Sequence, residues 1–371
     1  MSKAINSDIR FVKLALELAK RGIGQTGPNP SVGCVIVKND KIVGRGVTGS
    51  EGTPHAEIVA LTQAGRATKG ATMFVTLEPC AHYGKTPPCV KSIINAQISR
   101  VVCPLTDPDP RVSGAGFAKL KQANVELEFL PIARTWAEEI NRGFLSRITK
   151  GRPFITVKLG MSIDGKIASK SGKSQWITNQ FSRARSHLLR VQNDAVLVGT
   201  NTWLKDNPKL NIRGTLSKYS NPLRVFLDRK LKIFPSNSIV KNLTQYPSIV
   251  VHGEPTNLQN LKIWENSKIE LLKIKSNNKN IDLDHLFQRL GQKGINSILI
   301  EGGGKLAKSL LQKGLIDELV IFRSGFIIGS DGIPSFLELD KILQEINDHP
   351  KMVLKHFNPH DNDLETVWRP F

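Results

Sequence analysis

The chain is poor in cysteine and aromatic side chains, and it has no long apolar run. Four cysteines in 371 residues do not make a disulfide framework. No stretch approaches the roughly twenty consecutive apolar residues that a membrane helix needs. The first residues (MSKAINSDIRFVKLALELAKRG) read as an amphipathic helix broken by charges, without the apolar core and cleavage site of a secretory signal. These absences together lead us to expect a cytoplasmic protein. Aromatics make up only 6%, and no basic–aromatic strip of the kind that stacks nucleic-acid bases is visible. There is no internal repeat and no G-x-G-x-x-G dinucleotide fingerprint.

The chain does not lack positive charge. The formal net charge is +20, and 18 Lys and Arg against 12 Asp and Glu fall in residues 1–146, with 34 against 20 in the remainder. Acids are interspersed throughout, and no run of five or six like charges occurs. Such a diffuse positive field suits a phosphorylated or dinucleotide ligand as well as a polynucleotide. Without an aromatic strip, we expect a small phosphorylated partner, with no nucleic acid and no membrane.

The most informative residues are His55-Ala56-Glu57, then Pro79-Cys80, then Cys89. One histidine and two thiolates supply three ligands to a tetrahedral zinc and leave the fourth position to water. Glu57, two residues from the histidine, is placed to take a proton from that water and hand it to a leaving amine. That is the division of labour in zinc deaminases, where the glutamate is a general acid/base and not a ligand. Those enzymes space their cysteines two apart, whereas eight residues separate Cys80 from Cys89 here. A structural zinc would want four protein ligands, and Cys34, His82 and Cys103 fit no standard pairing with the three. Cys34 and Cys103 lie in apolar, strand-like runs and are expected to be buried and inert.

The local pattern supports the site. Pro54 precedes a helix carrying Ile58, Val59 and Leu61; residues 71–77 (ATMFVTL) read as a buried strand; Pro87-Pro88-Cys89 opens a further helix. Around these, the first half alternates helix and strand as a layered α/β domain. We expect a helix over Asp8–Lys20, strands at Val32–Val37 and Arg100–Cys103, a helix near Gly116–Gln122, and one closing helix from Ala133 to Arg147. The polar, Gly- and Pro-containing stretch Thr149–Pro153 suggests a boundary, dividing the chain into residues 1–147 and 148–371. The second half continues as α/β, with a helix over Gln180–Val191 and strands at Phe154–Leu159, Ala195–Val198, Arg224–Leu227, Ser248–His252, Ser297–Ile300 and Glu318–Phe322. Between about 229 and 280 the pattern is weak, and residues 335–371 carry no motif.

The second half shows less chemistry. Glu301-Gly302-Gly303-Gly304-Lys305 follows the strand SILI and opens a helix. Glycines at such a turn let backbone N–H groups approach a phosphate, although a tight structural turn reads the same way. Ser162-Ile163-Asp164-Gly165 is equally open, because Asp-Gly is a common turn pair.

The motifs PNPSVGCVIV, TPHAE, VTLEPCAHYGKTPPC, DPDPRVSGAGF, GRPFITVKLGMSIDGKIA, SQWIT, LLR, DNPKLNIR and LIEGGG occur in one order across nearly the whole chain. Together they closely resemble the bifunctional riboflavin-biosynthesis deaminase/reductase of bacteria. The long spacing between the two cysteines separates that family from ordinary cytidine deaminases. The resemblance implies a cytidine-deaminase-like three-layer N-terminal domain and a dihydrofolate-reductase-like C-terminal domain. It implies zinc-dependent removal of the 2-amino group of 2,5-diamino-6-(5-phosphoribosylamino)pyrimidin-4-one, followed by NADPH reduction of the ribosyl group to the ribityl chain. It also implies a homo-oligomer, a dimer or tetramer.

Carried over residue by residue, the resemblance makes His55, Cys80 and Cys89 the zinc ligands and Glu57 the general acid/base. Asn29, His82, Lys85 and Thr86 would hold the deaminase substrate, with Lys85 on its phosphate. Gly160, Trp176, Thr202, Asp206 and the segment Gly303, Gly304, Lys305, Leu306, Ala307, Lys308 and Ser309 would surround NADPH. Ser174, Arg190, Leu210, Arg213 and Glu301 would hold the reductase substrate. Trp176 and Leu210 read equally well as core packing. Two positions depart from the family. Thr48 stands where a histidine is usual and replaces only part of its hydrogen bonding, and Trp203 follows Thr202 where a small aliphatic residue is common, a change we expect to be tolerated.

Overall fold

A computed structural model describes residues 3–84, 86–109, 113–254, 258–267, 269–277, 280–336 and 349–371. The chain separates into two compact units, residues 1–152 with 294–296, and residues 153–293 with 297–371. Both are α/β.

The first unit contains α1 (Lys3–Lys20), β1 (Gly33–Lys38), β2 (Lys41–Val47), α2 (Ala56–Ala64), β3 (Thr72–Val75), α3 (Cys89–Asn95), β4 (Arg100–Cys103), α4 (Ala115–Gln122), β5 (Glu126–Phe129), α5 (Arg134–Ile140) and α6 (Arg142–Lys150). Its sheet runs β2-β1-β3-β4-β5. β1 is antiparallel to β2 and β3, while β3, β4 and β5 are parallel. Five consecutive residues of β1 are buried, so both faces of this strand are covered. Phe11 of α1 packs on Phe74 of β3 with ring centroids 5.1 Å apart. α2 lies hard against β2, because a Cβ on Gly46 would come 2.2 Å from the carbonyl oxygen of Ala56. Only glycine allows that approach, which sets the first turn of α2 on the sheet.

The closing helix expected over Ala133–Arg147 is two helices, α5 and α6. They break at Asn141 (φ −101°, ψ 16°), which is buried. Its Oδ1 accepts from the backbone N–H of Ser31 at 2.8 Å, and its Nδ2 donates to the Ser31 carbonyl at 3.1 Å. A contact 110 residues upstream thus ends a helix whose local pattern is continuous. Cys34 and Cys103 are buried as expected, and burial pushes both thiols up.

The second unit contains β6 (Phe154–Ser162), β7 (Lys166–Ala168), α7 (Gln180–Val191), β8 (Ala195–Gly199), α8 (Thr200–Asp206), β9 (Leu223–Leu227), α9 (Asn237–Thr244), β10 (Ser248–His252), α10 (Leu258–Asn266), β11 (Glu270–Lys273), α11 (Leu283–Gln292), β12 (Ser297–Ile300), α12 (Gly304–Gln312), β13 (Glu318–Ser324), β14 (Ile333–Pro334), β15 (Met352–His360) and β16 (Asp363–Pro370). Its nine-stranded sheet is ordered β11-β10-β9-β8-β12-β6-β13-β16-β15. Strands β11 to β13 in that order are parallel, and β16 and β15 close the edge antiparallel. The weakly patterned stretch 229–280 contributes α9, β10, α10 and β11. Within it Trp264 is fully buried and its Nε1 donates to the Ile233 carbonyl at 3.0 Å. Trp203 is also buried, against Phe226 and Trp264 with centroids 4.7 and 6.0 Å away, so the large side chain after Thr202 fills the core. Among the described residues, no helix is long and apolar enough to cross a membrane.

Candidate functional site

Three local structures bring the zinc-type donors together. His55 is the N-cap of α2, Cys80 follows β3 after a bend at Thr76-Leu77, and Cys89 is the first residue of α3. Their ligand atoms lie within 4.8 Å of one another, and among the described residues they are the one such group. Nδ1 of His55 stands 3.2 Å from Cys89 Sγ and 3.6 Å from Cys80 Sγ. A tetrahedral zinc with Zn–N near 2.0 Å and Zn–S near 2.3 Å would place nitrogen and sulfur about 3.5 Å apart. The donor set fits the ion.

The electrostatics point the same way. The Cys80 thiol accepts from the Cys89 backbone N–H at 3.3 Å. Hydrogen bonds from Cys89 and His55 outweigh burial and pull it down to about 4. A thiol lowered in this way gives up its proton to a metal more readily, since the thiolate is the ligand. Pairing with that thiolate raises His55. Glu57 lies in the first turn of α2 and is 4% exposed; burial, then the charge of Cys80, push its carboxyl up. A buried carboxyl that holds a proton more tightly than usual is suited to give one back.

The other residues suggested for the deaminase make the following contacts. Nδ2 of Asn29 donates to the Glu51 carbonyl at 3.4 Å. Among the described residues, the buried Nδ1 of His82 has no hydrogen-bond partner. Thr86 is half-buried, its carbonyl accepting from the N–H of Gly84 at 3.3 Å. Lys85 lies outside the described residues. Thr48 is buried, and its hydroxyl accepts from the Val32 N–H at 2.9 Å. Its hydrogen bonding therefore serves the β1–β2 framework.

In the second unit, three neighbouring parallel strands lead to some of the residues that sequence suggested. Sheet order puts β8, β12 and β6 side by side, and their carboxyl ends lead to α8 with Thr202 and Asp206, to the glycine turn before α12, and to Gly160 within β6. Ligands of open α/β sheets bind at carboxyl strand ends. Gly303 caps α12, Gly304 is buried, and Lys305 is exposed. Leu306 and Lys308 are half-buried, whereas Ala307 points into the core. Ser309 Oγ donates to the Lys305 carbonyl at 3.0 Å. Only the opening of this segment presents free helix N–H groups.

Arg190 of α7 and Glu301, just past β12, form a half-buried pair, with Nε 2.6 Å from Oε1. Sequence reasoning missed Lys158, whose Nζ is 3.8 Å from Glu301 Oε2. The register could have found it, since Ile300 of β12 pairs with Val157 of β6. Arg190 Nη1 donates to the Asn211 carbonyl at 2.9 Å, and Arg213, which is exposed, bonds the Asn211 side chain at 2.9 Å. Ser174 is exposed. Trp176 is 66% exposed, with the Arg183 guanidinium 4.4 Å above its ring. Leu210 is 2% exposed within the core that holds Trp203. The pair that looked alike in sequence thus separates. Asp164 is occupied by the N–H groups of Ile328 and Gly329 at 3.1 and 2.8 Å, which makes its turn structural.

Residues 5–105 match the cytidine and deoxycytidylate deaminase zinc-binding region, and residues 153–365 match the RibD C-terminal domain. Fold and site therefore define a zinc-type deaminase joined in one chain to a reductase. The riboflavin biosynthesis protein RibD of Aquifex aeolicus (strain VF5) is 41% identical over 345 residues, 90% of this chain and 93% of that protein. The solved structure of Acinetobacter baumannii RibD, form 1, matches with a TM-score of 0.89 at 35% identity, over 99% of both chains. A diaminohydroxyphosphoribosylaminopyrimidine deaminase/5-amino-6-(5-phosphoribosylamino)uracil reductase from Thermotoga maritima matches with a TM-score of 0.86 at 33% identity, over 99% of this chain and 100% of that one. The chain belongs to the RibD family of bifunctional riboflavin-biosynthesis enzymes.

Proposed function

We propose that residues 1–147 remove the 2-amino group of 2,5-diamino-6-(5-phosphoribosylamino)pyrimidin-4-one, and that residues 148–371 then reduce the ribosyl group of the resulting 5-amino-6-(5-phosphoribosylamino)uracil with NADPH. One observation carries this reading: the convergence of His55, Cys80 and Cys89 with Glu57 buried beside them. Bound by those three side chains, zinc would supply a water whose pKa is lowered to about 7. Glu57 would take one proton from the attacking water and pass it to the ring nitrogen, then take the second from the newly formed hydroxyl and pass it to the amine, which leaves as ammonia. Asn29 holds the pyrimidine, while His82, Lys85 and Thr86 hold its phosphate, for which a lysine is a compact point charge.

In the reductase, NADPH would supply the hydride. Its phosphates lie over Gly303 to Ser309, with the backbone at the α12 N-terminus as the main donor, and Gly160, Trp176, Thr202 and Asp206 surround the rest. Ser174, Arg190, Leu210, Arg213 and Glu301 position the phosphorylated ribose. Lys158, beside Glu301, is the side chain we assign to the proton transfer that ribose opening needs. The protein works in the cytoplasm as a dimer or tetramer.

The test gives zinc-replete protein the phosphoribosylated diaminopyrimidine and records ammonia and NADPH together. Ammonia release first, with NADPH oxidised only afterwards, is the expected result. Ammonia without NADPH consumption would remove the reductase assignment, and neither signal would overturn both.

A further inference from the structure

Glu78 lies two residues before Cys80 and is 3% exposed. Its carboxylate is a hub for backbone donors from a different part of the unit. Oε2 accepts from the N–H groups of Asp107 at 3.2 Å and Gly114 at 3.0 Å. Oε1 accepts from Gly116 at 2.9 Å and Phe117 at 3.3 Å. The Glu78 N–H in turn donates to the Leu105 carbonyl at 3.0 Å. Gly116 and Phe117 sit in the first turn of α4, whose N–H groups have no partner within the helix. Two further contacts tighten the same junction. A Cβ on Gly116 would fall 2.1 Å from the Pro79 carbonyl oxygen, and Lys119 Nζ donates to the Ala81 carbonyl at 2.9 Å.

We infer that Glu78 is a positioning residue for the deaminase: its carboxylate clamps Asp107, Gly114 and the first turn of α4 onto the stretch from Glu78 to Ala81, and so fixes His82, the next residue, for the substrate. The inference rests on the deaminase reading above. A glutamate suits this place because it offers only acceptors to four N–H donors. Glutamine has the same shape, but its amide nitrogen would face two donors with a donor. Strand β3 and the start of α3 still hold Cys80 and Cys89, so the metal donors should survive the change.

The experiment compares Glu78→Gln with the full-length zinc-loaded wild type. Amide hydrogen exchange at Asp107, Gly114, Gly116 and Phe117 should accelerate by about tenfold or more, while β1 and β3 exchange unchanged. Zinc content and NADPH oxidation on the deaminated substrate should stay at wild-type levels. The KM for deamination should rise about tenfold, with kcat changed far less. Gly116→Ala crowds the Pro79 carbonyl and the Glu78 side chain, pushing the same junction apart with the carboxylate retained, and should raise KM likewise; if that variant does not fold, Glu78→Gln decides alone. Lower thermal stability with unchanged KM, or unchanged exchange at the four amides, would overturn the inference. Wild-type protein that released no ammonia would instead overturn the deaminase reading, while the exchange comparison would still decide the clamp.

Discussion

Arg190 meets Glu301 through two parallel hydrogen bonds, Nε to Oε1 at 2.6 Å and Nη2 to Oε2 at 3.0 Å. Its remaining arm holds the Asn211 carbonyl at 2.9 Å, so one guanidinium ties α7 both to the end of β12 and to the loop carrying Leu210 and Arg213. Removing one partner of such a pair leaves the other charge in low dielectric without compensation. The side chains are 13% and 11% exposed, and Glu301→Gln should therefore cost about 3–5 kcal/mol. Thermal unfolding should show the loss in the second unit, with NADPH oxidation abolished and ammonia release intact. A melt within 1 °C or so of wild type would mean that the pair does not stabilise the fold.

The same pair sets a pH dependence with a definite sign. Burial pushes the Glu301 carboxyl up, but the charges of Arg190 and Lys158 outweigh it and hold the group at about 2, against an ordinary 4.5. The folded value lies below the unfolded one, so acid protonates the unfolded chain first. The stabilisation, roughly 3 kcal/mol, is complete above pH 4.5 and is lost as the pH falls through about 2. Wild type and Glu301→Gln should therefore differ most at neutral pH and converge in acid. A difference that grew on acidification would reverse the assignment.

What was legible in the sequence follows the range of the forces involved. Helix Gln180–Val191 and strands Arg100–Cys103, Ser248–His252 and Ser297–Ile300 were readable because their apolar period is local and complete. The break at Asn141 was not, because its cause is Ser31, far upstream. Strand β15 escaped because it is largely exposed along its length and shows no alternation to read. The zinc-type donors could be read since residue type and spacing nearly define that chemistry. Lys158 could not, because only the register of β12 on β6 brings it to Glu301. Nor could Glu78, whose four donors belong to backbone and leave no trace in side-chain identity.

Trp176 and Leu210 should part company on substitution. Trp176 is largely exposed and Leu210 is buried. Trp176→Ala should leave the melting temperature unchanged and raise the KM for NADPH. Leu210→Ala should cost about 2–5 kcal/mol, with substrate affinity falling as the loop loosens. A destabilised Trp176→Ala would return that residue to a packing role, whereas an unaltered KM for NADPH would remove it from the cofactor site.

Glu57 and Cys89 separate proton transfer from metal binding within one centre. Glu57 is outside the donor group, yet it is buried beside it in the first turn of α2. Glu57→Gln preserves shape and removes the exchangeable proton, so ammonia release should fall by about 10²–10⁴ while zinc stays bound. Cys89→Ala removes one donor of three, so zinc content and ammonia release should be lost together. NADPH oxidation on the deaminated substrate should survive in both variants, because none of these residues belongs to the second unit. Zinc retained by Cys89→Ala would take that sulfur out of the donor set. Ammonia release retained by Glu57→Gln would assign the proton to another group, and loss of the reductase in either variant would contradict the division of chemistry between the two halves.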